Sequence, residues 1–186
     1  MAQDFLTNQF LVAMPSLEDP NFRESVTFIC EHNAHGALGI IINRPMNVVL
    51  DDILKQLDLK AESLAMGATP VFLGGPVQPE RGFVIHEPQG DWQATLKVGE
   101  NIGVTTSRDV LAALAGGNGP KRSFVALGYA GWSPGQLEEE IKSNSWLSAP
   151  ADAAIIFDTP VEQRWQAAAR SIGVDLSLLS GDAGHA

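Results

Sequence analysis

Two apolar runs on either side of a short polar turn constrain the fold of this chain most strongly. Residues 25–31 are rich in β-branched and aromatic side chains, and residues 37–43 contain three consecutive isoleucines. Such side chains favour a pleated strand, and a run that is apolar on both faces is typical of a strand covered from two sides. Because residues 32–36 between them are polar and end in glycine, the pattern predicts a central β-hairpin with Cys30 buried in its first strand.

Shorter signals predict the other elements. Apolar residues at positions 50, 53, 54 and 57 have helical spacing and predict a helix over 49–57. Ser107 is a suitable N-cap for a helix over 107–115, and capping boxes at 133–136 and 159–162 predict helices to about residues 143 and 171. Strands are predicted at 10–13, 70–73, 82–86, 92–97, 102–105, 123–127 and 153–157, with a loop over 74–81 and with 92–97 beside 82–86. Strands in hairpin-like groups indicate an α+β fold rather than a doubly wound parallel sheet.

Length and composition predict one domain. The chain has 186 residues, of which 45% are hydrophobic, and this fits a single domain with a sizeable core. We expect the domain to span residues 1–179 and residues 180–186 to form a flexible tail. The first residues lack the positive segment of a signal peptide, and no apolar run approaches the roughly 20 residues that span a bilayer. The sequence therefore predicts a cytoplasmic protein without membrane association, and its single cysteine fits a reducing compartment.

The charge of the chain disfavours direct binding to nucleic acid. Twelve Lys and Arg residues face 22 Asp and Glu residues, which gives a formal net charge of −10. Proteins bind DNA largely by neutralising phosphates with Lys and Arg, and here only Lys121 and Arg122 are adjacent. A regulator that contacts DNA itself is therefore the least favoured functional class.

Residues 128–135 have two interpretations. Gly128, Tyr129, Gly131, Trp132 and Ser133 are predicted to follow a buried strand and to open a helix, where free N–H groups and the helix dipole attract anions. The alternative is an ordinary strand–helix turn that Ser133 caps. The segment has neither the lysine of a P-loop nor a G-x-G-x-x-G pattern, and no cofactor is expected.

Three polar residues in or beside the apolar strands are further candidates for ligand binding. Arg23 precedes the first strand of the hairpin, and Asn43 and Arg44 end its second strand. A guanidinium is well suited to a carboxylate or a phosphate, so we expect Arg44 to line one site together with the segment 128–135. The alternative is that Arg44 forms a structural ion pair with Asp51 or Asp52.

No catalytic residues and no metal site are assigned from the sequence. His32 and His35 do not have the spacing of a helical metal-binding motif, and no G-x-S-x-G is present. His86 ends a strand and is either a general base or part of a capped strand end. Gly74 and Gly75 suit a tight turn and a ligand wall equally. The sequence leaves open whether the protein is an enzyme and favours that it is not.

Five short phrases carry a resemblance to a known family. They are LVAMP at 11–15, CEHN at 30–33, GALG at 36–39 leading into NRP at 43–45, GGPV at 74–77 and GYAGW at 128–132. In this order they resemble the YqgE/AlgH family over roughly residues 10–157. The resemblance implies a branched, mostly antiparallel sheet with a small barrel-like portion, flanked by helices. No established chemistry comes with the resemblance. It implies a role upstream of alginate or exopolysaccharide gene expression. The net charge of the chain favours an indirect role over direct contact with DNA.

Three functional hypotheses follow from these observations. The favoured one is a regulatory or adaptor protein that binds a small anionic ligand or a protein partner, neither of which the sequence identifies. The alternative is an enzyme that acts on a small phosphorylated or carboxylated metabolite. A direct DNA-binding transcriptional regulator is the second alternative.

The charge leads to a first testable prediction. Micromolar protein should give no complex with duplex DNA in gel shifts at low salt, because no cluster of Lys and Arg is available to displace counterions. A complex whose affinity falls with salt with a log–log slope steeper than about −4 would show that several phosphates are contacted and would contradict the prediction.

Overall fold

The computed structural model of the protein describes residues 5–179 and has an α+β fold. The strands are β1 (Gln9–Ala13), β2 (Val26–Asn33), β3 (Gly36–Ile41), β4 (Pro45–Val49), β5 (Pro70–Leu73), β6 (Val77–Glu87), β7 (Thr95–Val98), β8 (Ile102–Thr105), β9 (Arg122–Trp132) and β10 (Trp146–Pro150). The helices are α1 (Leu50–Gln56), α2 (Leu64–Gly67), α3 (Arg108–Ala115), α4 (Gln136–Lys142), α5 (Ala153–Phe157) and α6 (Arg164–Arg170), with short 3-10 helices at Val161–Gln163 and Leu176–Leu179. The predicted tail, 180–186, lies outside the described residues.

The strands form one branched sheet that curls into a half-barrel. Its main path runs in the order β10-β1-β2-β3-β9-β6-β8-β7, with β5 beside β9 and β4 beside β5. Every pair is antiparallel except β5 and β9. The branch lies on β9, because its first half pairs with β5 and β6 and its last three residues pair with β3. The fold class predicted from the sequence is confirmed.

The predicted central hairpin is confirmed. Strands β2 and β3 pair antiparallel from Thr27 opposite Ile41 to Asn33 opposite Gly36. Cys30 is 1% exposed, and its burial, assisted by the nearby Glu31 carboxylate, raises the pKa of the thiol. The thiolate is the reactive form of cysteine, so this environment disfavours any role for Cys30 as a nucleophile.

Helices cover the sheet on both faces and divide the core into three parts. The largest part lies under α5 and α6 and includes Phe10, Phe28, Ile40, Phe72, Phe124 and Ile156. The second lies under α1 and α3 and includes Leu50, Leu54, Val71, Val84, Val110 and Leu114. The third lies under α4 and includes Leu11, Ile29, Trp132, Leu137 and Trp146. Within residues 5–179, none of the helices has the length and apolar character needed to cross a bilayer.

Several local predictions from the sequence are wrong. Residues 153–157 form helix α5 rather than a strand, with Asp152 as its N-cap and Ile155 and Ile156 buried. Periodicity cannot separate a buried strand from a buried helix in so short an apolar run. Strand β7 pairs with β8 and not with the 82–86 strand. Strands β4 and β10 and helix α2 are not predicted from the sequence.

Two strands are longer than predicted because the chain crosses itself closely. Strand β6 begins at Val77, inside the predicted loop 74–81, and β9 continues through the predicted turn to Trp132. Gly128 has a φ of +79° within β9. A β-carbon on Gly75 would overlap the backbone of Tyr129, and one on Gly74 would overlap the carbonyl oxygen of Gly128. Glycine is therefore required at this crossing by backbone contact.

The crossing predicts that one glycine substitution destabilises the protein strongly and that another has almost no effect on its stability. Gly75→Ala should lower the free energy of unfolding by at least about 3 kcal/mol, because its β-carbon meets backbone atoms that cannot move aside. Gly82→Ala is the matched control, since its β-carbon would have no neighbour nearer than 4.0 Å, and it should change stability by no more than about 0.5 kcal/mol. Chemical denaturation of both variants measures the difference, and similar values for the two would contradict the packing argument.

Candidate functional site

The predicted residues Arg23, Asn43 and Arg44 mainly hold the start of β2. The side chain of Asn43 accepts a hydrogen bond from the Val26 amide and donates one to the Glu24 carbonyl, both at 2.9 Å. Arg44 is half-buried and donates to the Arg23 carbonyl. Burial, and then the neighbouring Arg23, lower the pKa of Arg44 against the opposing effect of Glu24.

The predicted ion pair of Arg44 with a carboxylate of α1 does not form. Asp51 instead pairs with Lys55 at 3.3 Å, and Asp52 accepts from the Val49 amide at 2.9 Å. Arg23 is exposed, lies 3.7 Å from the Glu24 carboxylate, and lines a shallow hollow with Trp165.

The predicted residues of β9 form part of the scaffold. Tyr129 packs edge-on against Phe83, and Trp132 is 6% exposed. The indole N–H groups of Trp132 and Trp146 both donate to one oxygen of Glu140, each at 3.0 Å. Trp132 is therefore a core residue.

The turn into α4 begins after Trp132. The Ser133 amide donates to the side chain of Gln136 at 3.0 Å, which is one half of the predicted capping box. Helix α4 starts at Gln136, after Gly135 at a φ of +78°, so Pro134 is not its first residue.

The two predicted groups approach each other at only one end of the segment 128–133. Trp132 lies opposite Ala37 on β3, far from Arg44 along that strand, whereas a β-carbon on Gly74 would meet the Gly128 carbonyl oxygen, and the amide of the adjacent Leu73 donates to the Arg44 carbonyl at 2.8 Å. The hollow at Arg23 is lined by none of the residues 128–133. Binding of a ligand by either group stays a prediction.

A cleft larger than the hollow at Arg23 lies elsewhere, between α1, the start of α3 and β6. Its volume is about 500 Å³. Apolar side chains form its walls, namely Val48, Ile53, Leu57, Leu111 and Leu127. Polar residues also line it, namely Asp52, Gln56, Glu80, Thr106 and Arg108. None of the residues predicted as ligand-binding from the sequence lines this cleft.

Two helices set the walls of the cleft. In α1, Leu54 packs into the core while Ile53 and Leu57 are half-buried at the cleft. In α3, Val110 is buried and Leu111 faces the cleft. Residues three or four apart share a helix face, so the same turns that anchor these helices also present the apolar wall.

Gly82 leaves space in the wall formed by β6. It lines the cleft, and a β-carbon built on it would have no neighbour nearer than 4.0 Å. Any larger side chain at this position would occupy the cleft.

The charged groups of the cleft retain unused hydrogen-bonding capacity. Arg108 donates from one Nη atom to the Leu57 carbonyl at 2.9 Å, the only hydrogen bond of its side chain within residues 5–179. Asp52 uses Oδ2 to accept from the Val49 amide, and its other oxygen has no partner in the same part of the chain. One guanidinium and two carboxylates, Asp52 and Glu80, therefore face the cleft.

The two buried histidines serve the scaffold. His86 is fully buried; its Nδ1 donates to the Pro88 carbonyl at 2.9 Å and its Nε2 accepts from the Thr105 hydroxyl at 2.7 Å. Burial lowers the pKa of His86, so the ring is neutral and has no contact with solvent. His32 accepts from the Leu6 amide through Nδ1 and meets Glu138 through Nε2. In residues 5–179, no three His, Cys, Asp or Glu side chains converge as a metal site.

Arg164 is a buried cation that the sequence analysis did not single out. It donates to the Ile42 carbonyl at 2.6 Å and to the Thr159 carbonyl at 2.9 Å. Its guanidinium lies 5.4 Å and 5.6 Å from the ring centroids of Phe72 and Phe124. These contacts attach α6 to the end of β3, and no pattern in the sequence separates such an arginine from an exposed one.

Arg164 and Arg44 should therefore differ in their effect on stability. Arg164→Met should lower the free energy of unfolding by roughly 2–4 kcal/mol, because each buried carbonyl left unpaired costs about 1–3 kcal/mol. Arg44→Ala should cost only about 0.5–1.5 kcal/mol, the usual value of one hydrogen bond. Urea denaturation of both variants tests the ranking, and a larger loss for Arg44→Ala would contradict it.

Comparison with known proteins identifies the family. The AlgH-like family model, DUF179, matches residues 10–177. UPF0301 proteins of Nitrosococcus oceani and Thioalkalivibrio sulfidiphilus are 57% and 58% identical to the chain, over 98% and 100% of its length and 97% and 99% of theirs. The solution structure of the AlgH protein from Pseudomonas aeruginosa superposes with a TM-score of 0.81 at 49% identity and covers 100% of this chain and 98% of that one. A crystal structure of a Corynebacterium diphtheriae protein shares the fold at 21% identity, with a TM-score of 0.75 over 97% of this chain and 94% of that one. The chain therefore belongs to the AlgH-like family.

Proposed function

We propose that this protein is a non-enzymatic regulatory or adaptor protein whose cleft between α1 and α3 binds a small amphipathic ligand that carries an anionic group. The observation that carries the proposal is the cleft itself, with about 500 Å³ of space, apolar walls and a single guanidinium. Ligand sites in proteins are typically concave, mostly apolar and of about 300–1,000 Å³, with a few polar groups that fix orientation.

The positions of the side chains suggest how such a ligand would lie. Its apolar part would pack against Ile53, Leu111 and Leu127. Its carboxylate or phosphate would meet the unused N–H groups of Arg108, which can bind an anion through two parallel hydrogen bonds. The hydroxyl of Thr106, also in the lining, is close enough along the chain to serve the same group.

The residues that line this cleft support ligand binding better than they support catalysis. Among the residues that line it in the described part of the chain, the ionisable ones are Asp52, Glu80 and Arg108, and there is no histidine, cysteine or serine. Nucleophilic catalysis needs a nucleophile with a base beside it. Asp52, Glu80 and Thr106 line the cleft, but within residues 5–179 no hydrogen bond joins any two of these side chains. The enzyme hypothesis therefore has less support than a binding protein.

A regulatory role would require that ligand binding alters the affinity for a partner. A ligand shifts such an equilibrium only through a difference in affinity between two states. Helices α1 and α3 form both the cleft and its outer surface, so a ligand bound in the cleft would act directly on the helices that form that surface. An indirect effect on exopolysaccharide gene expression stays a prediction from the family resemblance.

A thermal-shift screen tests the proposal. The ligands are octanoate, 3-phenylpropionate, sugar phosphates, nucleotides and dicarboxylates. Amphipathic acids should raise the unfolding temperature, since a ligand at 100 times its Kd adds about 2.7 kcal/mol of stability. If none of these compounds and no short peptide shifts the transition at millimolar concentration, the proposal is wrong.

Two variants with matched controls locate the binding. Gly82→Leu should abolish the shift because the new side chain fills the cleft, and Gly82→Ala, which adds one carbon atom, should reduce the shift less. Arg108→Gln should weaken the binding of acids, whereas Arg170→Gln, which removes an exposed arginine on α6, should not. A shift that survives Gly82→Leu would place the ligand elsewhere.

A further inference from the structure

We infer that the ligand of this cleft is zwitterionic, with an ammonium group and a carboxylate at opposite ends of an uncharged apolar body, as in a short apolar peptide with both termini free. The inference rests on the proposed function and specifies the chemical class of the ligand. Its basis is the arrangement of the charged side chains Asp52, Glu80 and Arg108 around the cleft.

The charges lie at opposite ends of helix α1. Asp52 is in its first turn, whereas Arg108 binds the carbonyl of Leu57, the residue that follows its last turn. Five residues of helix correspond to about 7.5 Å along the axis. The cleft therefore has a negative end and a positive end that are roughly this far apart.

The lining between these ends is uncharged on α1. Ile53 and Gln56 contribute to it from this helix, and Leu111 contributes an apolar side chain from α3. A charged group placed in the middle would lose its hydration without a partner, which is costly. The body of the ligand must therefore be uncharged.

The balance of charge disfavours a simple anion. Glu80 lines the cleft from β6, so two carboxylates accompany the one guanidinium. A monocarboxylate would gain the attraction of Arg108 and also feel the repulsion of Asp52 and Glu80, whereas a zwitterion gains at both ends. The free oxygen of Asp52 and the unused N–H groups of Arg108 provide the hydrogen bonds.

The distance selects the length of the ligand. An extended chain spans about 3.3–3.6 Å per residue, so a dipeptide or a tripeptide places its terminal charges about 7–11 Å apart. A single amino acid is too short to reach both ends of the cleft. A peptide with a charged side chain would place that charge against the apolar residues between the ends.

Isothermal titration calorimetry with leucyl-leucine tests the inference. The comparison ligands are N-acetyl-leucyl-leucine, which lacks the ammonium group, and leucyl-leucinamide, which lacks the carboxylate. We expect leucyl-leucine to bind at least 10-fold more tightly than either blocked peptide. Equal affinity of the free and the N-acetylated peptide, or no binding of leucyl-leucine at millimolar concentration, would overturn the inference.

Two variants assign each end. Asp52→Asn keeps an acceptor for the Val49 amide. This variant should lose the preference for the free amine over the acetylated peptide. It should keep the preference for the free carboxylate over the amide. Arg108→Gln should do the reverse. Asp51→Asn is the matched control, since Asp51 lies on the same turn of α1 and does not line the cleft. A preference for the free amine that survives Asp52→Asn would also overturn the inference.

Failure of the inference can be separated from failure of the proposed function. If octanoate binds, depends on Arg108 and is excluded by Gly82→Leu, while the blocked peptides bind as well as leucyl-leucine, the cleft is a ligand site without zwitterion specificity. If octanoate and every peptide fail to bind, the proposed function itself is wrong. Melting curves of each variant confirm that any loss of binding is not a loss of folding.

Discussion

The close crossing of two backbones at Gly74, Gly75 and Gly128 is the constraint on which the rest of this architecture depends. It lets β9 run past the end of β5 and serve two parts of the sheet, first between β5 and β6 and then beside β3. Without that switch the strand would belong to one sheet only. The three parts of the core, under α5 and α6, under α1 and α3, and under α4, lie on the surfaces that this branched sheet creates.

Polar groups inside the protein complete the fold at the helix–sheet junctions. Arg164 satisfies backbone carbonyls at the end of β3 and stacks over aromatic rings, while Glu140 joins two tryptophans beneath α4. Most buried polar groups in proteins are hydrogen-bonded, and through its hydrogen bonds each of these side chains holds a helix in one position. Conspicuous aromatic, glycine and amide residues of the sequence, such as Trp132, Gly128 and Asn43, belong to this scaffold.

The sequence was sufficient for the fold class, the central hairpin and most helices, because hydrophobic periodicity and capping residues are local signals. It failed at β9 and at α5. Gly128 and Gly131 indicated a turn, although both lie within β9 and the strand continues through them. The apolar run 153–157 has no period that distinguishes helix from strand. The cleft was not predictable either. Asp52, Glu80 and Arg108 come from three distant segments and belong to no motif, and only the tertiary arrangement places them around one space.

Gly82 also has a consequence for how this scaffold can diversify. The depth of the cleft is set at one position of a β-strand by the absence of a side chain, and the backbone there has an ordinary conformation that any residue can adopt. A change from glycine to alanine or valine would shorten the cavity in steps of one or two carbon atoms without moving either helix. Under the proposed function, a single substitution at this position would change the length of the ligand that fits, without a rearrangement of the fold.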